Sequence, residues 1–252
     1  MSNQRIWTAA VLVIGDEILS GRTQDKNVAQ IGVWLNAQGI RLREVRIVAD
    51  IEDEIVAAVN ALRTRYDYLF TTGGIGPTHD DITVDAIAKA LGLAVQIHPD
   101  ARAILDHYYT TRGGLTDARL RMARVPAGAD LIPNRMSGAP GIRIANMFIM
   151  AGVPHITAGM LDALSGELEG GAPLVARTIG GWVPESEVAD LLRSAEKAHD
   201  GVAIGSYPFF REGRVGANFV VRATDPLLVD ACVAALTIGL EAAGYPITDG
   251  GI

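Results

Sequence analysis

The sequence predicts an α/β fold, a doubly wound and mostly parallel sheet, followed by a second, smaller α+β domain. Three observations carry the fold class. Residues 6–14 are an unbroken apolar run, the pattern of a strand covered on both faces by helices. Strand-like and helix-like periodicities then alternate, as parallel strands joined by right-handed crossovers require. Finally, Glu169-Gly170-Gly171-Ala172-Pro173 breaks the chain and a new rhythm follows, so domains are expected over 1–170 and 171–252.

The elements follow in order. After the first strand, Gly15-Asp16-Glu17-Ile18-Leu19-Ser20-Gly21 is a polar loop at the strand's carboxyl end, the side on which open α/β sheets bind ligands. Residues 27–38 set Val28, Ile31 and Leu35 on one helical stripe, stopped by Gly39 at a left-handed cap, and residues 41–48 alternate as a strand. Asp50 stands at the cap position of a helix carrying Ile51, Ile55, Val59 and Leu62, which leads to a strand at Tyr68-Leu69-Phe70. A short strand over 93–97 reaches Pro99, suited to the first turn of a helix ending near Tyr109 before Gly113-Gly114. Residues 116–125 read as a Thr116-capped helix carrying Arg119, Arg121 and Arg124, which are expected to form a solvated basic face, with contact to a phosphate as the alternative. A turn-rich stretch, 131–141, precedes one strand over 142–150; Gly152-Val153-Pro154 then introduces a helix over 155–168. The second domain reads as strand 174–179, helix 185–198, strands 202–206 and 215–223, and helix 226–243.

The chemistry concentrates in residues 69–91, LFTTGGIGPTHDDITVDAIAKAL. A short strand breaks at Gly73, Gly74, Gly76 and Pro77 and resumes as a helix with Val84, Ile87, Ala88 and Leu91 on one face. Such a junction offers backbone N–H groups and a partial positive charge to an anion, and phosphate is the obvious one. Asp81 and Asp85 are spaced one helical turn apart, so both are expected to face one point and hold a divalent cation, Mg²⁺ or similar, together with Asp16 or Glu17 from the first loop. The run matches neither G-x-G-x-x-G nor a Walker loop.

Composition narrows the partners. With 49% hydrophobic and 20% charged residues the chain buries a real core. A net charge of −7 argues against a broad nucleic-acid or membrane-surface footprint, leaving room only for a local basic patch and focused recognition. The single cysteine, Cys232, excludes a disulfide framework and fits a reducing, cytoplasmic setting. The N-terminal apolar run breaks at Gly15-Asp16-Glu17, too short for a signal or membrane span. Gly213-Arg214-Val215-Gly216 has the G-x-x-G spacing of a KH module but precedes a strand, which counts against that module.

Three segments together, the loop at 15–21, Thr72-Gly73-Gly74-Ile75-Gly76-Pro77-Thr78-His79-Asp80-Asp81-Ile82-Thr83, and Ala139-Pro140-Gly141, resemble the N-terminal part of the competence/damage-inducible protein A (CinA) family, built on the molybdopterin-binding fold of MogA, MoaB and gephyrin-like proteins. The later Gly181-Trp182-Val183-Pro184-Glu185-Ser186 and Ile204-Gly205-Ser206-Tyr207-Pro208 resemble that family's following small domain. The resemblance implies a phosphorylated nucleotide or pterin ligand, such as molybdopterin, and an activity drawn from molybdopterin adenylylation, metal insertion or metal-dependent ADP-ribose pyrophosphatase chemistry. A C-terminal amidase, present in longer members, is not assigned to this chain. Ligand or phosphate binding is expected at Gly15, Gly73, Gly74, Gly76, Thr78, Thr83, Asn134, Pro140 and Gly141; catalysis at Asp81, Asp16 and Asp85; and metal at Asp81, Asp85 and Glu17. A homo-oligomer is expected by analogy. One departure matters: where the family reads Pro-Gly-Val-Pro-x-Glu-Met, this chain has Ala151-Gly152-Val153-Pro154-His155-Ile156-Thr157, replacing a carboxylate by Ile156. A non-catalytic binding module is therefore the alternative.

Overall fold

The computed structural model describes residues 5–134 and 136–252; residues 1–4, and Arg135 of the turn-rich stretch, lie outside them. The chain divides into two units, residues 1–171 and 172–252.

In the first unit the chain runs β1 (Trp7–Ile14), α1 (Asp16–Leu19), α2 (Asn27–Ala37), β2 (Ile40–Val48), α3 (Glu52–Arg65), β3 (Tyr68–Thr72) and α4 (Thr83–Leu91). It continues through β4 (Val95–Ile97), α5 (Pro99–Tyr109), α6 (Asp117–Leu120), a 3-10 turn (Arg121–Ala123), β5 (Arg124–Pro126), β6 (Asp130–Ile132), β7 (Gly141–Ile144), β8 (Met147–Met150) and α7 (Pro154–Ala163). The main sheet has the order β2-β1-β3-β8-β7-β6. β2, β1, β3 and β8 are parallel, whereas β7 and β6 join antiparallel. β1 shows why its sequence is continuously apolar. Ala10, Leu12 and Ile14 face a core shared with Ile55, Leu62 and Ile87 of α3 and α4, while Ala9, Val11 and Val13 face one shared with Ile31, Leu35 and Met160 of α2 and α7. In the second core Phe70 and Phe148 stack at 4.9 Å, adding to the area term of two fully buried rings.

Two local expectations are corrected. Residues 142–150 form a hairpin instead of one strand, because Ala145 takes a positive φ of 50° and Ile144 pairs directly with Met147. Residues 116–125 split into α6, the 3-10 turn and β5, since Arg124 and Val125 pair with Ile97 and Gln96 of β4.

The second unit contains β9 (Val175–Gly181), α8 (Glu185–Ala198), β10 (Ala203–Arg211), β11 (Arg214–Ala223), α9 (Pro226–Ala242) and β12 (Thr248–Asp249). Its antiparallel sheet has the order β10-β11-β9-β12, a β-α-β-β-α-β arrangement with strands pairing around a central β9 and β11. Phe219 and Val221 of β11 and Ile179 of β9 pack with Val188, Val229, Cys232 and Leu236 of the two helices. Among the described residues no helix is long and apolar enough to cross a membrane.

Candidate functional site

A cavity of about 630 Å³ in the first unit opens where parallel strands end. It is lined by Ile14 and Gly15 after β1, Asp50 after β2, Gly73 to Pro77 after β3, and Ala151 to Pro154 after β8. The carboxyl ends of neighbouring parallel strands converge by construction, so these four loops meet without long-range adjustment.

The glycine turn is built from beneath. The Gly73 N–H donates to the Met150 carbonyl (3.2 Å), and at φ 100° its backbone lies so close to Ile14 that a Cβ would stand 2.1 Å from that residue's carbonyl oxygen. Thr83, fully buried at the start of α4, donates its hydroxyl to the Gly73 carbonyl (2.9 Å) and its N–H to the Gly74 carbonyl (3.1 Å). With both carbonyls held from below, the N–H groups of Gly74, Ile75 and Gly76 are without a protein acceptor among the described residues. α7 begins at the same cavity, with Pro154 in its first turn, so its N-terminal partial charge has the same sign as those amides.

Carboxylates line the same cavity: Glu17, Asp50, Asp80 and Asp81. Glu17 folds over Gly15, with its oxygens 2.6–2.7 Å from where a Cβ on that glycine would stand. Asp81 accepts from the Thr78 N–H (2.7 Å) and hydroxyl (2.5 Å), and its carboxylate packs against Gly76. Asp50 is the residue that sequence reasoning misplaced. It does not cap α3, whose cap residue is Ile51; instead its carboxylate accepts the N–H of Asp16 (2.9 Å) and faces the cavity. Its place straight after the edge strand β2 was the available signal, since residues just past a parallel strand's carboxyl end lie on the ligand side. Burial pushes the Asp50 carboxyl above its ordinary value, the Asp16 N–H opposes this, and the charges of Asp16, Glu17 and Asp80 add to the rise.

A carboxyl raised in this way binds its proton more tightly folded than unfolded. Its contribution favours the fold below the ordinary carboxyl value and is lost as pH climbs through the raised one. Asp50→Asn keeps an oxygen for the Asp16 N–H and removes the charge. It is expected to raise the thermal midpoint at pH 7 by about 1–2 °C, a surface-scale effect, with the gap from wild type closing near about pH 3. Calorimetric melts at the two pH values check this.

The remaining expected site residues are placed as follows. Gly15, Glu17, Gly73, Gly74, Gly76 and Asp81 come together on the cavity. Asp16 is exposed in α1 and is not brought into the cavity lining, which takes Gly15 and Glu17 on either side of it. Thr78 and Thr83 serve the loop from within, through Asp81 and Gly73. Asn134 braces the far wall, donating to the Ala139 carbonyl and the Ser137 hydroxyl (both 2.7 Å), and it is Ser137 and Ala139 that line the cavity. Pro140 and Gly141 are buried, Gly141 within β7. The pairing of Asp81 with Asp85 is corrected: Asp81 precedes α4, and Asp85 forms a two-pronged ion pair with Arg124 (3.0 Å for one prong), which ties α4 to β5. Arg124 and Arg121 are therefore partly buried behind the glycine turn instead of forming a solvated face. His79 is fully exposed and Ile156 lines the cavity.

Residues 10–169 match the family model described as a probable molybdopterin binding domain, and residues 173–246 match that of the FAD synthase middle domain. The solved structure of a CinA protein of unknown function from Thermoplasma acidophilum is 35% identical, with a TM-score of 0.60 over 64% of this chain and 98% of that one. The chain is a CinA-like member of the molybdopterin-binding domain family. A protein of Aeropyrum pernix is 35% identical over 81% of this chain and 79% of its own length. A CinA-like protein of Desulfosudis oleivorans is 36% identical over 78% of this chain, which spans only 51% of that longer relative.

Proposed function

We propose that this CinA-like chain binds a phosphorylated nucleotide or pterin, its phosphates seated on the Gly74, Ile75 and Gly76 amides. The observation that carries the reading is that these three N–H groups stand unpaired on a cavity of about 630 Å³ at the strand ends. The cavity exceeds what a diphosphate fills, and Tyr109, Met122, Ile156 and Met160 supply an apolar flank for a ring. A divalent cation fits the rim in one way. Among the described residues no three His, Cys, Asp or Glu side chains gather as a ligand set, so Glu17, Asp50 or Asp81 would supply one or two carboxylates, and phosphate and water the rest. Such a cation neutralises the charge that the ligand and the acidic rim would otherwise bring together.

Titration calorimetry with ADP-ribose and with molybdopterin, each with and without Mg²⁺, tests this. Binding is expected, and Asp81→Asn is expected to weaken the Mg²⁺-dependent part by about tenfold while sparing the metal-free part. Absence of heat for every ligand ends the reading.

A second reading, metal-dependent hydrolysis of a pyrophosphate bond, is favoured by the carboxylate rim at Glu17, Asp50 and Asp81. Ile156 weighs against it, because the wall that a further carboxylate would occupy is apolar here. Binding without turnover is therefore the reading we adopt.

A further inference from the structure

The second unit's helices cover only one face of its sheet. On β11, Ala217, Phe219, Val221 and Ala223 point to α8 and α9 and are buried, so the alternate residues Gly216, Asn218, Val220 and Arg222 form the other face. Register extends that face to Gly205, Tyr207, Phe209 and Arg211 of β10 and to Thr178 and Gly180 of β9, with Trp182 just beyond.

We infer that this open face binds single-stranded nucleic acid. Two features point there. The first is aromatic platforms. A Cβ on Gly216 would stand 2.4 Å from Phe209 Cζ, and one on Gly205 2.9 Å from Tyr207 Cε2, so both rings lie over glycines of the sheet. Tyr207 is 49% exposed. Such rings stack bases of any sequence. The second is segregation of charge. Glu185, Glu187, Asp190, Glu196, Asp230 and Glu241 outnumber Arg193 and Lys197 on the helices, whereas the open face carries Arg211, Arg222 and, at the hairpin end beside Glu212, Arg214. The arginines already pack on the rings: Arg211 stands 5.0 Å from the Phe209 centroid, Arg214 4.3 Å from that of Trp182, and Arg222 donates to the Tyr207 hydroxyl at 3.2 Å. Arginines interleaved with aromatic rings suit a strand that offers phosphates and bases alternately. A second copy of this face would bring arginine against arginine and is disfavoured. Gly250 to Ile252 cross the face over β9 and reach Asn218 of β11, which accepts the Ile252 N–H (2.9 Å) and donates to the Ile252 carbonyl (3.2 Å), so the part left uncovered is the β10 side with Tyr207. The G-x-x-G at 213–216 lies across the β10–β11 turn and plays no part as a KH loop.

The test is fluorescence anisotropy of a labelled oligothymidylate titrated with the full chain. Three phosphate contacts on a single strand predict a fall in affinity of roughly 20-fold between about 50 and 200 mM salt. Tyr207→Ala is expected to weaken binding by about 5- to 100-fold, and the triple change Arg211→Ala, Arg214→Ala, Arg222→Ala to abolish it at 200 mM salt. Arg193→Ala, on α8, is expected to leave it unchanged. Circular dichroism of each variant establishes that it is folded. Equal affinity for wild type and the triple variant overturns the inference, as does no binding of the oligonucleotide at about 50 mM salt, or binding to anionic vesicles alone. The outcome is independent of the glycine-turn site, because none of these variants alters it.

Discussion

Gly73→Ala is expected to lower the thermal midpoint of the first unit by about 6–12 °C and to abolish ligand binding at the glycine turn. The reasons add. At φ 100° an L side chain is strained, for about 1–2 kcal/mol. The new Cβ would also stand 2.1 Å from the Ile14 carbonyl oxygen, and since that atom is central-strand backbone it cannot swing aside as a flexible side chain does. Overpacking of this kind costs about 1–3 kcal/mol, which gives about 3 kcal/mol in all, at about 2–4 °C per kcal/mol for a unit of this size. Gly21→Ala separates the two causes. Its φ is 72° but nothing lies within 4 Å of a Cβ there, so only the backbone cost applies and the loss is about half. If thermal melts show the two variants equally stable, the close approach of β1 to the glycine turn is not what fixes Gly73.

The contrast between these glycines shows what the sequence discloses. That residues 73–76 form a glycine turn at the carboxyl end of a strand was legible, because the cluster falls between an apolar strand and an amphipathic helix. What each carboxylate does was not. Asp81 and Asp85 have the spacing of a helical pair, but the helix starts after Asp81, and Arg124, thirty-nine residues on, takes Asp85. Spacing cannot reveal a partner brought by tertiary folding. Asp50 failed in the opposite direction: a residue with high propensity for a helix cap was taken into the cavity by its position after β2. The hairpin at 144–147 escaped because Ala145 is an unusual residue for positive φ, and Asn146 beside it was the one turn signal in the stretch. In the second unit, where strands and helices repeat with clean alternation, element order followed directly from periodicity.

The larger functional effect is expected at Ile156. This side chain lines the cavity that also holds Glu17, Asp50, Asp80 and Asp81, and it stands where the Pro-Gly-Val-Pro-x-Glu-Met pattern carries an acid. A pyrophosphate needs its charge neutralised and a water aimed at phosphorus. A cation held by the acidic rim would meet the first requirement, and a carboxylate at 156 would meet the second by taking the water's proton as the new P–O bond forms and the bridging P–O bond breaks, releasing AMP and ribose 5-phosphate. General-base assistance is worth about 10²- to 10⁴-fold. Ile156→Glu is therefore expected to raise Mg²⁺-dependent release of AMP from ADP-ribose by at least about 100-fold over wild type. Ile156→Gln, similar in shape but unable to accept a proton, is expected to bind the same ligand and leave it intact. Both changes place a polar group in a partly apolar wall, so each carries a stability cost of about 0.5–3 kcal/mol that melting curves will register. Chromatographic assay of AMP decides: if the Glu variant binds ADP-ribose yet releases no more than the Gln variant, the proposed lack of turnover does not rest on Ile156, and Asp85, held by Arg124, becomes the group to examine.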